Sequence, residues 1–218
     1  MTRPLADSNH YSADIELDYD AIVVGAGIAG LYQLYRLRQI GMKVRLFEAG
    51  TGVGGTWYWN RYPGARFDSE SYSYAYSFSQ ELLDEWDWSE HFASQPEILR
   101  YIQHVAHKFD LIKDIQFSTD VKSALYDDDN RIWEIQLQDG SSYRSRFLIT
   151  GIGLLSQPTL PKIDGVESFN GKSFHTSRWP HVPINFAGKK VAVIGTGATG
   201  VQTIYSMYGQ TSSITRPG

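Results

Sequence analysis

Two glycine turns carry the clearest chemistry in this chain. Gly25-Ala26-Gly27-Ile28-Ala29-Gly30 follows the apolar run Asp20-Ala21-Ile22-Val23-Val24. Gly195-Thr196-Gly197-Ala198-Thr199-Gly200 follows Lys190-Val191-Ala192-Val193-Ile194. A strand that runs into G-x-G-x-x-G and opens a helix places backbone N–H groups and the positive end of the helix dipole against a pyrophosphate. In the first turn, Gly25 allows the tight turn, Gly27 the backbone's approach to phosphate, and Gly30 the close packing of helix on strand. Glu48 ends the next strand, where a carboxylate accepts hydrogen bonds from a ribose diol and repels a 2′-phosphate. The first turn therefore predicts FAD or NAD rather than NADP.

Between the turns, Gly52 to Asp68 mixes glycines and aromatics too densely for a regular element. It reads as a loop around something flat. The backbone N–H groups from Gly55 through Thr56 to Trp57 are placed to meet the polar edge of an isoalloxazine ring. Tyr58 and Tyr62 taken singly fit core packing equally well. His175 invites a general-base reading because histidine titrates near neutral pH, but its neighbours form a connecting segment and predict a structural role. His104 and His107 have no further ligand in view and read as surface residues. Asp127-Asp128-Asp129-Asn130 reads as a hairpin tip rather than a cation site.

Two longer stretches narrow the reading. Phe169-Asn170-Gly171-Lys172-Ser173-Phe174-His175-Thr176-Ser177-Arg178-Trp179-Pro180 has the pattern F-x-G-x-x-x-H-x-x-x-W-P, and Gly54 to Asp68 reads G-G-T-W-Y-W-N-R-Y-P-G-A-R-x-D. Both resemble the Baeyer–Villiger monooxygenases of the cyclohexanone and phenylacetone type, over about Tyr19 to Ile204. The resemblance implies FAD and NADPH as cofactors, with a ketone and O2 as substrates. One oxygen atom would enter beside the carbonyl to give an ester or lactone. It implies cofactor contacts at Gly25, Gly27, Ala29, Gly30, Glu48, Gly55, Thr56, Trp57, Tyr58, Trp59, Asp68, Tyr74 and Val121. Around the second turn it implies contacts at Gly195, Thr196, Gly197, Ala198, Thr199, Gly200 and Gln202. Asp68 would lie beside the flavin and Arg66 would handle the nicotinamide. His175 would couple domain position to cofactor state.

Family members are far longer, and a further active-site arginine belongs to their later part. The expectation is that this chain alone does not catalyse the reaction, and that a second polypeptide could supply the rest. Two alternatives stand beside it: a flavin monooxygenase that oxidises sulfur or nitrogen, and a non-catalytic FAD-binding fragment or half of a split enzyme. Arg216 is the candidate for a 2′-phosphate contact.

These residues need elements to hold them. The fold class expected is α/β, with a Rossmann-like FAD-binding domain of the two-dinucleotide flavoprotein type and the start of a second, NADP-binding one. The expected divisions are a flexible leader at 1–18, the FAD-binding portion at 19–155, and at 156–218 a linker, the fingerprint and the incomplete second domain. Ile28 to Ile40 predicts a helix with Leu31, Leu34, Leu37 and Ile40 on one face, stopped by Gly41. Lys43 to Phe47 predicts the second strand. Ser69 to Ser79 alternates Tyr72, Tyr74, Tyr76 and Phe78, which predicts an extended segment. Trp86 and Trp88 read as an exposed pair or as packing. Ser94 and Glu97 have capping-box spacing before a helix that reaches Phe109.

Strands are predicted at Ile115 to Tyr126, Trp133 to Gln138 and Ser142 to Thr150, the last returning the chain to the first sheet. Lys190 to Ile194 predicts a second buried strand. A helix follows from Ala198, Gly209 interrupts it, and Thr211 to Thr215 is at most a stub of strand.

With 218 residues and a net charge of −4, the chain can bury a core and carries no electrostatic signal for nucleic acid or an anionic membrane. No apolar run approaches the roughly 20 residues that span a bilayer, and the cytosol is the expected location. Cysteine is absent, which excludes dithiol redox chemistry and thiolate metal sites.

Overall fold

A computed structural model describes residues 16–215. Most of the expected leader, and Arg216, lie outside the described residues. At Asp18 the chain is already tied down: its N–H donates to the carbonyl of Arg144 at 3.1 Å, and its carboxylate accepts from the Arg144 N–H at 2.7 Å.

Strand β1 (Tyr19–Val24) leads through the first turn into helix α1 (Ile28–Gln39), and β2 (Val44–Phe47) follows. Alternate residues of β1 face opposite sides. Ala21 and Val23 join the larger apolar cluster and Ile22 the smaller one, so the strand is buried on both faces and its sequence is continuously apolar. Helix α1 buries Leu31 and Leu34. Ile40, expected on the same face, is 70% exposed. It caps the helix, and Gly41 at φ +81° turns the chain away just after it.

Three short helices come next: α2 (Thr56–Trp59), α3 (Ser71–Tyr74) and α4 (Gln80–Glu85). The aromatic loop thus contains one helical turn that its composition hid. The extended segment expected at Ser69 to Ser79 is corrected to α3 and a connection. Its aromatic alternation marks side-chain contacts rather than a strand ladder: Tyr74 packs on Phe67 (4.1 Å between centroids), while Tyr76 and Phe78 pack near Tyr32. The Ser71 hydroxyl fixes the segment by donating to the carbonyls of Glu90 and His91 and accepting from the Ala93 N–H.

Helix α5 (Gln95–Lys108) buries Ile98, Tyr101, Ile102 and Val105 against the larger cluster. Its expected capping box does not form: the Ser94 side chain makes no cap hydrogen bond. The Glu97 carboxylate instead accepts from the N–H and hydroxyl of Ser89, at 2.9 and 2.6 Å, so the acid serves a tertiary contact. Trp86 and Trp88 pack on Tyr101 at 5.3 and 5.0 Å, and Trp88 is buried, which settles that pair as packing.

The strand expected at Ile115 to Tyr126 is two strands, β3 (Ile115–Gln116) and β4 (Val121–Asp127). Ser118 takes a positive φ of 51° between them, which breaks the ladder. Then come β5 (Ile132–Leu137) and β6 (Ser142–Thr150). One sheet has the order β3-β2-β1-β6-β5-β4, parallel from β3 to β6 and antiparallel beyond. The return of β6 beside β1 agrees with the sequence. The carboxylate of Asp127 accepts from Asn130 N–H and Nδ2, which confirms the hairpin tip.

Beyond β6, β7 (Lys190–Ala192), helix α6 (Ala198–Met207) and β8 (Ser213–Thr215) form a smaller unit, with β7 and β8 parallel. The expectation of a buried strand at Lys190 to Ile194 is corrected: Lys190 and Ala192 are exposed and Ile194 is 64% exposed. Among the described residues β8 is its one paired neighbour.

Candidate cofactor and catalytic site

The first turn is built by close backbone contacts. Gly25 has φ +99°, and a Cβ there would lie 2.6 Å from the carbonyl oxygen of Gly151. A Cβ on Gly30 would lie 1.8 Å from the oxygen of Gly25, so helix and strand meet at a distance that only glycine permits. The first bond inside α1 runs from the Leu31 N–H to the Gly27 oxygen, which leaves the N–H groups of the turn ahead of the helix's own ladder.

Gly55 is the second wall of this cradle. It has φ +53°, and its Cβ would approach Gly27 Cα to 2.7 Å. The turn and the aromatic loop therefore meet backbone to backbone, with the Gly54 N–H donating to the Ala26 carbonyl at 3.0 Å. Part of their N–H groups is committed to protein: Gly25 donates to the Phe47 carbonyl, and Trp57, expected at a ring edge, donates to the Gly54 carbonyl. That surface fits a pyrophosphate and the edge of a flat ring.

Glu48 lies at the end of β2, 5% exposed. Its Oε2 accepts from the Ala26 N–H at 2.6 Å and its Oε1 from the Gly50 N–H at 2.7 Å. Each carboxylate oxygen keeps a second acceptor position, so the side chain can hold the turn and still receive a diol.

The aromatic residues divide. Trp57 packs edge-on against Phe67 and Tyr74, and its indole N–H donates to the Tyr74 hydroxyl at 3.0 Å. Tyr58 pairs its hydroxyl with Thr51 and packs edge-on with Trp59. Arg178, from the fingerprint, lies 4.9 Å over the Trp59 ring. The Thr56 carbonyl accepts from the N–H and side chain of Asn60. Ala29 and Tyr74 line a cleft of about 390 Å³ with Tyr32, Tyr76 and Phe78. Val121 starts β4 and packs on the smaller apolar cluster, two residues past Thr119, whose N–H donates to the Glu48 carbonyl.

Arg66 and Asp68 lie on one exposed rim. Arg66 pairs with Glu90 at 3.0 Å, and Asp68 accepts from Gln202 Nε2 at 3.0 Å. Gln202 belongs to α6, the helix of the second turn, so that helix meets the end of the aromatic loop at the R-x-D segment. In that second turn Gly195 has φ +122°, and a Cβ on Gly200 would lie 2.7 Å from the Gly195 oxygen, repeating the close approach of the first. Nothing lies within 4 Å of a Cβ built on Gly197. Ala198 starts α6 and the Thr199 carbonyl accepts from Thr203 Oγ1; Thr196 precedes them in the same turn.

The Nδ1 of His175 is 2.9 Å from Ser177 Oγ and accepts from the Ser177 N–H at 3.2 Å. It caps the short turn Thr176–Arg178, while Trp179 packs between Phe174 and Phe186. Among the described residues no cluster of His, Asp or Glu is arranged to hold a metal ion, and no helix is long and apolar enough to cross a membrane.

Sequence reasoning weighed Tyr62 evenly between core packing and the flat-ligand loop, and missed the contact that Gln202 makes with Tyr62. Its buried hydroxyl donates to Gln202 Oε1 at 2.9 Å, and burial raises its pKa. It also missed Glu90 as the partner of Arg66. Neither has a local signal, because both contacts arise from the tertiary fold.

The geometry defines a flavoprotein fold with two dinucleotide turns, and comparison with known proteins agrees. The flavin-binding monooxygenase-like family matches residues 20–212, and the chain belongs to that family. Among curated relatives, the 2-oxo-Δ3-4,5,5-trimethylcyclopentenylacetyl-CoA monooxygenase of Pseudomonas putida is 51% identical over 85% of this chain and 35% of its own length. The acetone monooxygenase (methyl acetate-forming) of Gordonia sp. is 50% identical, over 86% and 35%. The phenazine N-monooxygenase of Lysobacter antibioticus is 47% identical, over 85% and 34%. A steroid monooxygenase solved with NADP superimposes with a TM-score of 0.87 at 52% identity, over 91% of this chain and 38% of that one. OTEMO solved with FAD and NADP gives 0.88 at 47%, over 93% and 39%. The chain thus spans about a third of the length of the curated relatives it matches.

Proposed function

We propose that this chain is the cofactor-binding part of an FAD- and NADPH-dependent monooxygenase that inserts an oxygen atom of O2 beside a ketone carbonyl. The observation that carries this reading is the meeting of Arg66 and Asp68 with α6, which brings the helix of the second turn onto the loop whose other end walls the first cradle. FAD supplies the redox and oxygen chemistry when bound, and NADPH the hydride. Gly25, Gly27, Gly30 and Gly55 provide a backbone surface for the FAD pyrophosphate and ring edge, and Glu48 accepts from its ribose. Gly195, Gly197 and Gly200 offer the corresponding helix N-terminus to NADPH. Arg66 presents a cation on the exposed rim to the nicotinamide side. Asp68 presents a carboxylate that orients a cationic group beside the flavin. His175 holds the fingerprint turn and takes no proton from substrate.

The acetone monooxygenase supports ketone chemistry. The phenazine N-monooxygenase, nearly as similar, keeps nitrogen oxidation as the second reading. A third reading, a non-catalytic FAD-binding fragment, makes the same first prediction and differs in the second. The rest of the machinery comes from a further polypeptide segment, in the same chain or in a second one, and a cytosolic setting goes with it. The test has two parts. Purified chain mixed with FAD should retain a flavin spectrum after desalting. NADPH, O2 and a small ketone should then give ester or lactone only when a polypeptide carrying the remaining two-thirds is supplied. With an amine or a phenazine added as an alternative substrate, N-oxide from it and no ester from the ketone would favour the second reading, and no product from either under any complementation the third.

A further inference from the structure

We infer that Gln202 is a positioning residue that fixes Asp68 against α6, rather than a cofactor ligand. A glutamine amide has two N–H donors and one carbonyl with two acceptor positions, and here all four are committed to protein. Oε1 accepts from the Tyr62 hydroxyl at 2.9 Å and from the Arg66 N–H at 3.4 Å. Nε2 donates to the Arg66 carbonyl at 3.2 Å and to Asp68 Oδ1 at 3.0 Å. The partners also dictate which way the amide faces. The Arg66 N–H can only donate and the Arg66 carbonyl can only accept, so a flipped amide would set donor against donor and oxygen against carboxylate. The bond to Asp68 joins a donor to a carboxylate.

Backbone packing holds the same contact from the other side. A Cβ on Gly64 would lie 2.5 Å from the carbonyl oxygen of Gln202 and 2.9 Å from Ser206 Cβ. The segment from Gly64 to Asp68 therefore lies directly on α6, where Thr203 and Met207 are buried. A helix that begins at the second glycine turn thus sets the place of a carboxylate assigned to the flavin side. This consequence rests on the role proposed above for Asp68; the contact itself does not.

The experiment is two-dimensional 15N NMR of the 218-residue chain with three variants. Asp68→Asn removes the anion from an exposed position. Gln202→Met keeps length and packing but no hydrogen bonds. Gln202→Glu keeps the shape and turns an acceptor toward Asp68. Asp68→Asn should shift the Gln202 side-chain amide pair. Gln202→Met should shift the backbone amides of Gly64 to Asp68, and Gln202→Glu should shift them further, with Leu34 and Ile102 unmoved in each. A role in packing alone would leave Gln202→Met like the wild type. A Gln202 side-chain amide that does not respond to Asp68→Asn overturns the inference, as do unmoved amides of Gly64 to Asp68 in both Gln202 variants. Should Gln202→Glu unfold the chain, the response to Asp68→Asn decides alone. Flavin absorbance is read separately: failure to bind FAD sinks the proposed function and leaves this contact standing.

Discussion

At the scale of single residues, the site depends on backbone approaches that tolerate no Cβ. Gly55 combines a positive φ with a Cβ position 2.7 Å from Gly27 Cα. Backbone cannot yield there as a flexible side chain could. Gly55→Ala should therefore destabilise the chain by about 1–3 kcal/mol, seen as a lower denaturant midpoint, and should weaken FAD binding as well. Gly140→Ala is the control. Its φ is +91°, but a Cβ there meets nothing within 4 Å, so it should lower stability through backbone strain alone and leave FAD binding unchanged.

Tyrosine ionisation gives a second prediction at this scale. Burial pushes the Tyr101 phenol from its ordinary 10.0 up to about 12, although its oxygen accepts the Tyr76 N–H. A folded-state pKa raised in this way favours the protonated form. The resulting stability is fully present below 10.0 and is lost as pH rises toward about 12. Alkaline unfolding should begin in that window. Tyr101→Phe should lower stability at neutral pH, because the buried Tyr76 N–H loses its acceptor, and should lose less further stability than the wild type as pH rises from 10.0 toward about 12. An equal loss across that window would contradict the assignment.

At the scale of elements, α5 is the main prop behind the first sheet. Ile102 is fully buried in the larger cluster, so Ile102→Ala should cost about 2–5 kcal/mol by chemical denaturation. The link from α4 to α5 is electrostatic. His104, then Lys108, hydrogen-bond Glu85 and hold its carboxyl below the usual 4.5. Stability from a depressed carboxyl is present above 4.5 and lost as pH falls through the lower folded value. Glu85→Gln should lower the neutral plateau slightly and flatten the acid limb of the stability profile, so that variant and wild type converge at low pH.

The elements themselves were unevenly legible. The βαβ unit around the first turn was readable because β1 is buried on both faces and α1 has an apolar stripe, both local patterns. The helix at Ser71–Tyr74 was not, because its alternating aromatics answer to Phe67, Tyr32 and Tyr101 across the fold. Glu97 looked like a helix cap, yet Ser89 is its partner, eight residues away. The site followed the same rule. The glycines and Glu48 announced themselves through spacing, whereas the four bonds of Gln202, one of them to Tyr62, exist only once α6 lies on the aromatic loop, and the Arg66–Glu90 pair only once the segment before α5 folds against that loop.

At the scale of the whole molecule, the region after β6 is thinly covered. Leu155, Ile194, Tyr205 and Tyr208 are well exposed, and among the described residues β7 has one partner strand. The two glycine turns therefore differ in readiness. The first is walled by Gly55 and steadied by a buried carboxylate; the second opens onto space at Gly197. FAD should bind this chain much more tightly than NADPH, and a large preference for NADPH would show that the second turn is more complete than its packing suggests.

The central claim is that the first cradle holds FAD through its glycines and Glu48. Its most direct test is equilibrium titration of the purified chain with FAD, wild type beside Glu48→Ala and Glu48→Gln. Binding by the wild-type chain should be saturable, with a shifted flavin spectrum. Loss of a charged hydrogen-bonding group worth about 1.5–3 kcal/mol should weaken it roughly tenfold or more in Glu48→Ala, with Glu48→Gln in between. Saturable binding with the same affinity in all three proteins, or no binding by the folded wild-type chain, would contradict it.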